Sequence, residues 1–105
     1  MMNEADEIME MVRFGVLPGT SHATVQAHAG DIDAWLSARK GFVRRALVGP
    51  DTEGRYTDIV QWRTMADASA AAAEIMKEPS LAAFMGLIDG PTVTMAHVPV
   101  VATLG

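Results

Sequence analysis

Cysteine is absent from this sequence of 105 residues. Its absence excludes disulfides, thiolate zinc sites and a cysteine nucleophile, and it agrees with a reducing cytoplasm. No apolar run approaches the roughly 20 residues that span a bilayer. The first residues, MMNEADEIMEM, are acidic where a signal peptide would be basic. We therefore expect a cytoplasmic protein with no membrane partner.

Positive charge is also scarce, with 8 Lys and Arg against 13 Asp and Glu, and a net charge of −5. A nucleic-acid surface needs clustered Lys and Arg for the phosphates, so no nucleic-acid partner is expected. Half of the residues are hydrophobic, which is typical of a folded domain. We expect one domain over 1–105, with residues 1–6 disordered, that buries its apolar surplus in a homodimer.

The order of the segments predicts a β-α-β-β-α-β chain. The predicted elements are a strand at 7–16, a helix from 20 or 21 to about 40, strands at 42–48 and 55–63, a helix from 64 with a further turn from 79, and a strand at 92–101. Gly30 is expected to weaken or kink the first helix and Gly41 to end it. Asp89-Gly90-Pro91 is expected to form a turn, and Pro99 indicates an edge strand or a bend.

This order is that of the ferredoxin-like α+β sandwich, a four-stranded antiparallel sheet with helices on one face. The other face of the sheet carries Val, Ile, Leu and Met rather than alternating polar residues. Such a face must be covered. Two sheets packed face to face, as an α+β barrel, would cover it.

Three stretches of the sequence resemble a known family. The segments GFVRRALV (41–48), GRYTDIVQW (54–62) and MGLIDGPTVTMAHV (85–98), with the Ala-rich helix before the last of them, are similar to the dimeric α+β barrel superfamily. Within it they most resemble the antibiotic-biosynthesis-monooxygenase-like (ABM-like) group, over about residues 14–100. The resemblance implies the ferredoxin-like fold and a homodimer. The superfamily includes oxygenases, haem-degrading enzymes, isomerases, dechlorinating proteins and members of unknown role.

The hairpin between the second and third strands places charges within apolar strands. If Gly49 lies opposite Gly54, one face carries these pairs: Val43 opposite Val60, Arg45 opposite Asp58 and Leu47 opposite Tyr56, with Trp62 on the same face. Arg45 and Asp58 are then either a structural cross-strand pair or a fixed cation, oriented by Asp58, for an anionic or phenolate group. A one-residue slip would break this arrangement.

Trp62 and His97 each have two interpretations. Trp62 is either a core residue or, as the resemblance to ABM-like oxygenases implies, the wall of a cleft that stacks a planar substrate. Tyr56 would share that wall. His97 is either hydrogen-bonded in place or a general base near neutral pH, a role that Asp58 could also take.

No metal or cofactor is expected. The histidines lack the spacing of metal ligands, and no Ser lies in a G-x-S-x-G motif. Haem-degrading members of the superfamily use a first-strand Asn and a His after the third strand as iron ligand. This sequence has no Asn in its first strand and no His between Trp62 and His97.

Two functions are consistent with the sequence. One is a cofactor-independent monooxygenase-like enzyme acting on a small aromatic or hydroxylated metabolite, with Trp62 and Tyr56 binding substrate and Arg45, Asp58 and His97 carrying the chemistry. The other is a non-catalytic small-molecule-binding or stress-associated dimer. The incomplete set of oxygenase partner residues favours the second function, and the retained pocket wall at Trp62 favours the first.

Overall fold

The computed structural model describes residues 6–105, so the predicted disorder of residues 1–6 falls almost entirely outside the described part. The described chain is a ferredoxin-like α+β fold, as predicted. Its elements are β1 (Ile8–Val16), α1 (His22–His28), α2 (Asp33–Ser37), β2 (Phe42–Val48), β3 (Tyr56–Trp62), α3 (Met65–Ile75), a 3₁₀ turn (Pro79–Leu81), α4 (Ala82–Met85) and β4 (Ile88–Pro99). The antiparallel sheet has the order β2-β3-β1-β4.

The core lies between one face of the sheet and the helices, in two clusters. The larger cluster surrounds Trp62 and joins β1 and β3 to α2, α3 and the 3₁₀ turn. The smaller cluster joins Phe14 and Tyr56 of the sheet to Val25 of α1 and Phe84 of α4. The Ala-rich sequence of α3 allows this helix to approach the sheet closely, and Ala68 and Ala71 are both buried. All the helices therefore cover the same face.

The predicted helix from about 20 to 40 is two short helices. Ser21 caps α1 by accepting a hydrogen bond from the Thr24 N–H, as the sequence predicts for its start. α1 ends at His28 and α2 begins at Asp33, and Gly30 lies in the interval between them. Glycine disfavours helix by about 1 kcal/mol relative to alanine, and Asp31 accepts a 2.9 Å hydrogen bond from His28 across the break. The break is thus more complete than a kink.

The predicted turn at Asp89-Gly90-Pro91 is wrong, because these residues belong to β4. Gly15 pairs with Asp89 and Val16 with Ile88, and the register shifts between Arg13 and Gly15. The Gly15 N–H donates to the Thr92 hydroxyl (2.7 Å), and that hydroxyl donates to the Asp89 carbonyl (2.6 Å). The sequence Asp89-Gly90-Pro91, which suggested a turn, therefore lies in a β-bulge that the hydrogen bonds of Thr92 stabilise. Pro99 ends β4 at the edge of the sheet, as predicted.

The predicted register of the hairpin is wrong by two residues. Leu47, rather than Arg45, lies opposite Asp58, and Arg45 lies opposite Val60. The connection is longer than expected because the Asp51 carboxylate accepts hydrogen bonds from the backbone N–H groups of Glu53 and Arg55. A shift of two residues keeps every side chain on its predicted face.

Val43 is the exception to that conservation of faces. The register shifts between Phe42 and Arg44, so Val43 is an extra residue in the strand. Val43 was expected opposite Val60, a position that Arg45 holds. Phe42 instead lies opposite Trp62, and the two rings meet edge to face with centroids 6.1 Å apart. The helix-facing surface of the hairpin is therefore more aromatic than predicted.

The sheet face opposite the helices has an apolar centre. Cross-strand pairing places Ala46, Ile59, Met11 and Ala96 in one row across all four strands. On the same face, Val48 is 47% exposed and Val98 is 40% exposed. Polar groups lie at both ends, with Arg44 hydrogen-bonded to Gln61 at one and Arg13 paired with Asp51 at the other. None of the described helices is long and apolar enough to cross a bilayer.

Candidate functional site

A cavity of about 400 Å³ lies between the sheet and the helices. Its helical wall is wholly apolar and includes Trp35, Leu36, Ala72, Ile75, Phe84 and Met85. Its sheet wall is formed by alternate residues of adjacent strands, namely Glu10, Val12, Phe14, Asp58, Val60 and Trp62, with Val93 and Met95 of β4. The volume of this cavity and its apolar lining are typical of sites that bind small molecules. Two carboxylates, Glu10 and Asp58, are the charged groups that line it.

Trp62 lies at the end of β3 and forms part of the cavity wall. Its side chain is 1% exposed, and its indole Nε1–H is buried with no hydrogen-bond acceptor among residues 6–105. A buried donor without a partner costs about 1–3 kcal/mol. The sequence left Trp62 as either a core residue or a cleft wall. In the structure Trp62 belongs to the larger core cluster and also borders this cavity.

Arg45 and Asp58 are joined across β2 and β3 by two hydrogen bonds. Arg45 Nε donates to Asp58 Oδ1 (2.8 Å) and Nη2 donates to Oδ2 (2.7 Å). The side chains are only 7% and 14% exposed. Nη1 of the same guanidinium donates to the Ala29 carbonyl and to Asp33 Oδ1 (3.2 Å). All three guanidinium nitrogens are thus engaged within the protein.

The charge state of Arg45 follows from these contacts. Burial lowers the pKa of the guanidinium, but the hydrogen bonds and charges of Asp58 and then Asp33 more than offset burial, so the pKa is raised overall. Arg45 therefore remains a cation and holds Asp58 as its counter-ion. Arg45 does not line the cavity, and Asp58 does.

His97 lies on β4 opposite Glu10 of β1. Its Nε2 donates a 2.7 Å hydrogen bond to Glu10 Oε2, and the two side chains are 19% and 13% exposed. Glu10 lines the cavity, whereas His97 lies behind it and does not. Sequence reasoning selected His97 and missed Glu10. The available signal was a carboxylate at the centre of an otherwise apolar strand, IMEMV.

Tyr56 lies in the smaller core cluster, beyond the end of the cavity. Its hydroxyl and His22 Nδ1 are joined by a 2.8 Å hydrogen bond, and its ring packs on Phe14 with centroids 5.8 Å apart. It is not among the cavity-lining residues, and Phe14 and Phe84 form that end of the wall instead. The structure thus brings Trp62, Asp58 and, through Glu10, His97 to one cavity, and it separates Tyr56 from them.

The histidines lie far apart in the fold. His22 begins α1, His28 ends it beside Asp31, and His97 is on β4. Within residues 6–105, no group of three or more His, Asp or Glu side chains could hold a metal ion. The charged groups at the cavity wall in the described structure are two carboxylates, one of which is hydrogen-bonded to an imidazole.

Solved structures of similar shape are found in the ABM-like group. SnoaB, a cofactor-independent oxygenase from Streptomyces nogalater, is 24% identical in a single-site variant, with 95% of this chain and 98% of that chain covered and a TM-score of 0.73. A protein from Bordetella bronchiseptica, assigned to the antibiotic biosynthesis monooxygenases, is 20% identical over 92% of this chain and 99% of its own, with a TM-score of 0.73.

A dimeric ferredoxin-like protein from an uncultured marine organism is also similar. It is 13% identical, covers 94% of this chain and 91% of its own, and has a TM-score of 0.63. No family model matches the sequence, and no curated protein sequence matches it. The resemblance predicted from the residues is confirmed as a likeness of fold: the described chain has the ferredoxin-like α+β fold of the ABM-like proteins.

Proposed function

We propose that the cavity binds a small, planar aromatic molecule that carries oxygen, and that the protein is a cofactor-independent monooxygenase-like enzyme. The observation that carries the proposal is the apolar cavity of about 400 Å³, which Trp62 borders and whose sheet wall holds two carboxylates. The Trp62 N–H is buried without an acceptor in the described structure. In the proposed complex the ligand displaces the side chains that cover this N–H, and a carbonyl or phenolic oxygen accepts its hydrogen bond. An aromatic body would fill the remaining apolar space.

The proposed reaction needs little from the protein beyond proton removal and charge stabilisation. A substrate with an acidic C–H beside aromatic rings loses a proton, and the electron pair remains on the substrate as a delocalised carbanion. Dioxygen oxidises this carbanion, so that a CH₂ group and O₂ give a C=O group and water. A base at the cavity wall and a donor to the developing oxyanion are the required parts. The fold shared with SnoaB, a cofactor-independent oxygenase, supports this choice of reaction.

We further propose that the protein works as a homodimer in the cytoplasm. The uncovered sheet face has an apolar centre around Met11 and Ile59 with polar groups at its ends, which is the anatomy of a protein interface. A second copy of the same face would bury this centre, as in an α+β barrel. The likeness to a dimeric ferredoxin-like protein supports the same assembly, and the absence of cysteine favours a reducing compartment.

The binding part of the proposal is tested by calorimetric titration with 1-naphthol and with naphthalene, which share a ring system and differ in one oxygen. Trp62→Phe keeps an aromatic wall and removes the N–H. We expect it to weaken 1-naphthol binding roughly 3–10-fold, as for a net hydrogen bond of about 0.5–1.5 kcal/mol, and to affect naphthalene much less.

Trp35→Phe is the matched control, because Trp35 lines the same cavity and its N–H is not among the buried groups without a partner in the described structure. It should change the affinity for both compounds to the same extent. An equal loss for both compounds in Trp62→Phe would refute the role of the indole N–H.

The catalytic part of the proposal is tested by oxygen uptake with anthrone, whose CH₂ group is activated by two rings. Binding of anthrone without oxygen uptake would support a non-catalytic binding protein.

A further inference from the structure

We propose that Glu10 is the group that accepts the substrate proton, and that His97 is a positioning residue that holds it. This inference rests on the proposed function, since it assigns the base within the same cavity. It differs from the expectation drawn from the sequence, in which His97 or Asp58 takes the proton. The two carboxylates that line the cavity, Glu10 and Asp58, differ in their contacts.

Asp58 is poorly suited to accept a proton. Both of its oxygens receive hydrogen bonds from Arg45, at 2.8 and 2.7 Å, inside a nearly buried pair. Protonation of Asp58 would break a buried ion pair and leave the Arg45 cation with only Asp33 and a backbone carbonyl. Removing one partner of such a pair is strongly unfavourable. Asp58 is therefore a fixed negative charge.

Glu10 has the free capacity that Asp58 lacks. Only Oε2 receives a hydrogen bond, from His97 Nε2, and no other described side chain bonds to this carboxylate. Glu10 lines the cavity and His97 does not, so a ligand would meet Oε1 of Glu10 rather than the imidazole. An ionised carboxylate only accepts hydrogen bonds, which makes His97 the donor and fixes which oxygen is left for the substrate.

The charges around Glu10 are few. His97 lies opposite Glu10 on β4. On β3, Glu10 pairs with Val60 and Val12 pairs with Asp58, so Asp58 lies diagonally across from Glu10. The charge of Asp58 is neutralised by Arg45. Such diagonal neighbours are about 7–8 Å apart. The residues of α2, α3 and α4 that face the cavity are apolar. In the proposed step, a substrate C–H or O–H bond breaks, the proton bonds to Glu10 Oε1, and the electron pair remains on the substrate.

The test follows the exchange of the anthrone CH₂ protons with D₂O in the absence of oxygen, by NMR spectroscopy. The wild-type protein should accelerate this exchange, because the base removes a C–H proton and returns a deuteron. Glu10→Gln should still bind anthrone but should accelerate the exchange much less. With anthrone and oxygen, Glu10→Gln should lower kcat about 10²–10⁴-fold, the usual loss for a general base, with little change in KM. Glu74→Gln on the exposed face of α3 should leave both readouts unchanged.

His97→Gln retains a donor for Glu10 and should keep most of the exchange rate, whereas His97→Ala should reduce it. A purely structural His97 would shift the melting temperature without this difference. Glu10→Asp serves if Glu10→Gln does not fold, and should give partial exchange. Exchange by Glu10→Gln at the wild-type rate would overturn the inference, as would wild-type binding of anthrone without exchange. Failure of the wild type to bind any aromatic probe would instead overturn the proposed function, and this inference with it.

Discussion

The buried pair of Arg45 and Asp58 makes a sharp prediction about stability. Replacing Arg45 with Met leaves the Asp58 carboxylate, whose side chain is 14% exposed, without its cation. Replacing Asp58 with Leu leaves Arg45 with Asp33 and the Ala29 carbonyl still in contact. Because Arg45 keeps partners and Asp58 does not, Arg45→Met should destabilise the protein more than Asp58→Leu does.

The magnitude follows from the burial of the pair. Removing one partner of a buried ion pair costs about 3–5 kcal/mol. The lower end, about 3 kcal/mol, applies to Arg45→Met because Asp58 lines a cavity that can admit water. For a domain of this length such a loss lowers the melting temperature by roughly 14 °C. The double variant removes both charges and replaces them with apolar side chains, so its stability should lie within about 1 kcal/mol of the wild type.

The assay is urea denaturation of the wild type, both single variants and the double variant, followed by circular dichroism. The four free energies of unfolding form a double-mutant cycle. We expect the double variant to be more stable than Arg45→Met. If the losses of the two single variants simply add, the two side chains do not depend on each other, and the argument that Asp58 is a fixed charge fails.

Two further predictions concern the hairpin turn and the uncovered sheet face. The Asp51 carboxylate accepts hydrogen bonds from the Arg55 N–H and from the Arg13 side chain, and these bonds lower the pKa of Asp51 in the folded state. The stability that Asp51 contributes is therefore fully present above about pH 4, the carboxyl pKa in the unfolded chain. It is lost as the pH falls through the lower pKa of the folded state. Thermal melts should show Asp51→Asn less stable than the wild type at neutral pH and closer to it at about pH 3, and an unchanged difference would contradict this assignment. Met11→Glu, at the apolar centre of the sheet face, should convert the proposed dimer to a monomer in sedimentation experiments. Thr94→Glu, opposite Arg13 at a polar end of the same face, should not. A Met11→Glu dimer would contradict the proposed interface.

The order of elements was predictable because each of them has a strong local signal. The Ala-rich run predicts α3, and Thr64 caps it as expected by accepting a hydrogen bond from the Asp67 N–H. The features that were missed depend on contacts distant in sequence. The bulge at Gly15 needs the hydroxyl of Thr92, and the register of the hairpin depends on how Asp51 binds the backbone of its own turn.

The candidate site was predictable in part. Composition and resemblance selected Trp62, and the two-residue period placed Arg45 and Asp58 on the same face as Trp62 despite the wrong register. Glu10 could not be assigned to the cavity until the pairing of β1 with both β3 and β4 was known, because that pairing sets its neighbours. Tyr56 is separated from the cavity because it packs against Val25 of α1 and Phe84 of α4. This packing, too, could not be predicted from the sequence of the hairpin alone.

Native mass spectrometry with 1-naphthol shows whether the cavity binds a small aromatic molecule. Ala72 lines the cavity and Ala73, the next residue of α3, does not. Both are exposed, so Ala72→Trp and Ala73→Trp form a matched pair. We expect one bound molecule per chain in the wild type and in Ala73→Trp, and none in Ala72→Trp. Equal binding by the two variants, or none by the wild type, would contradict this expectation.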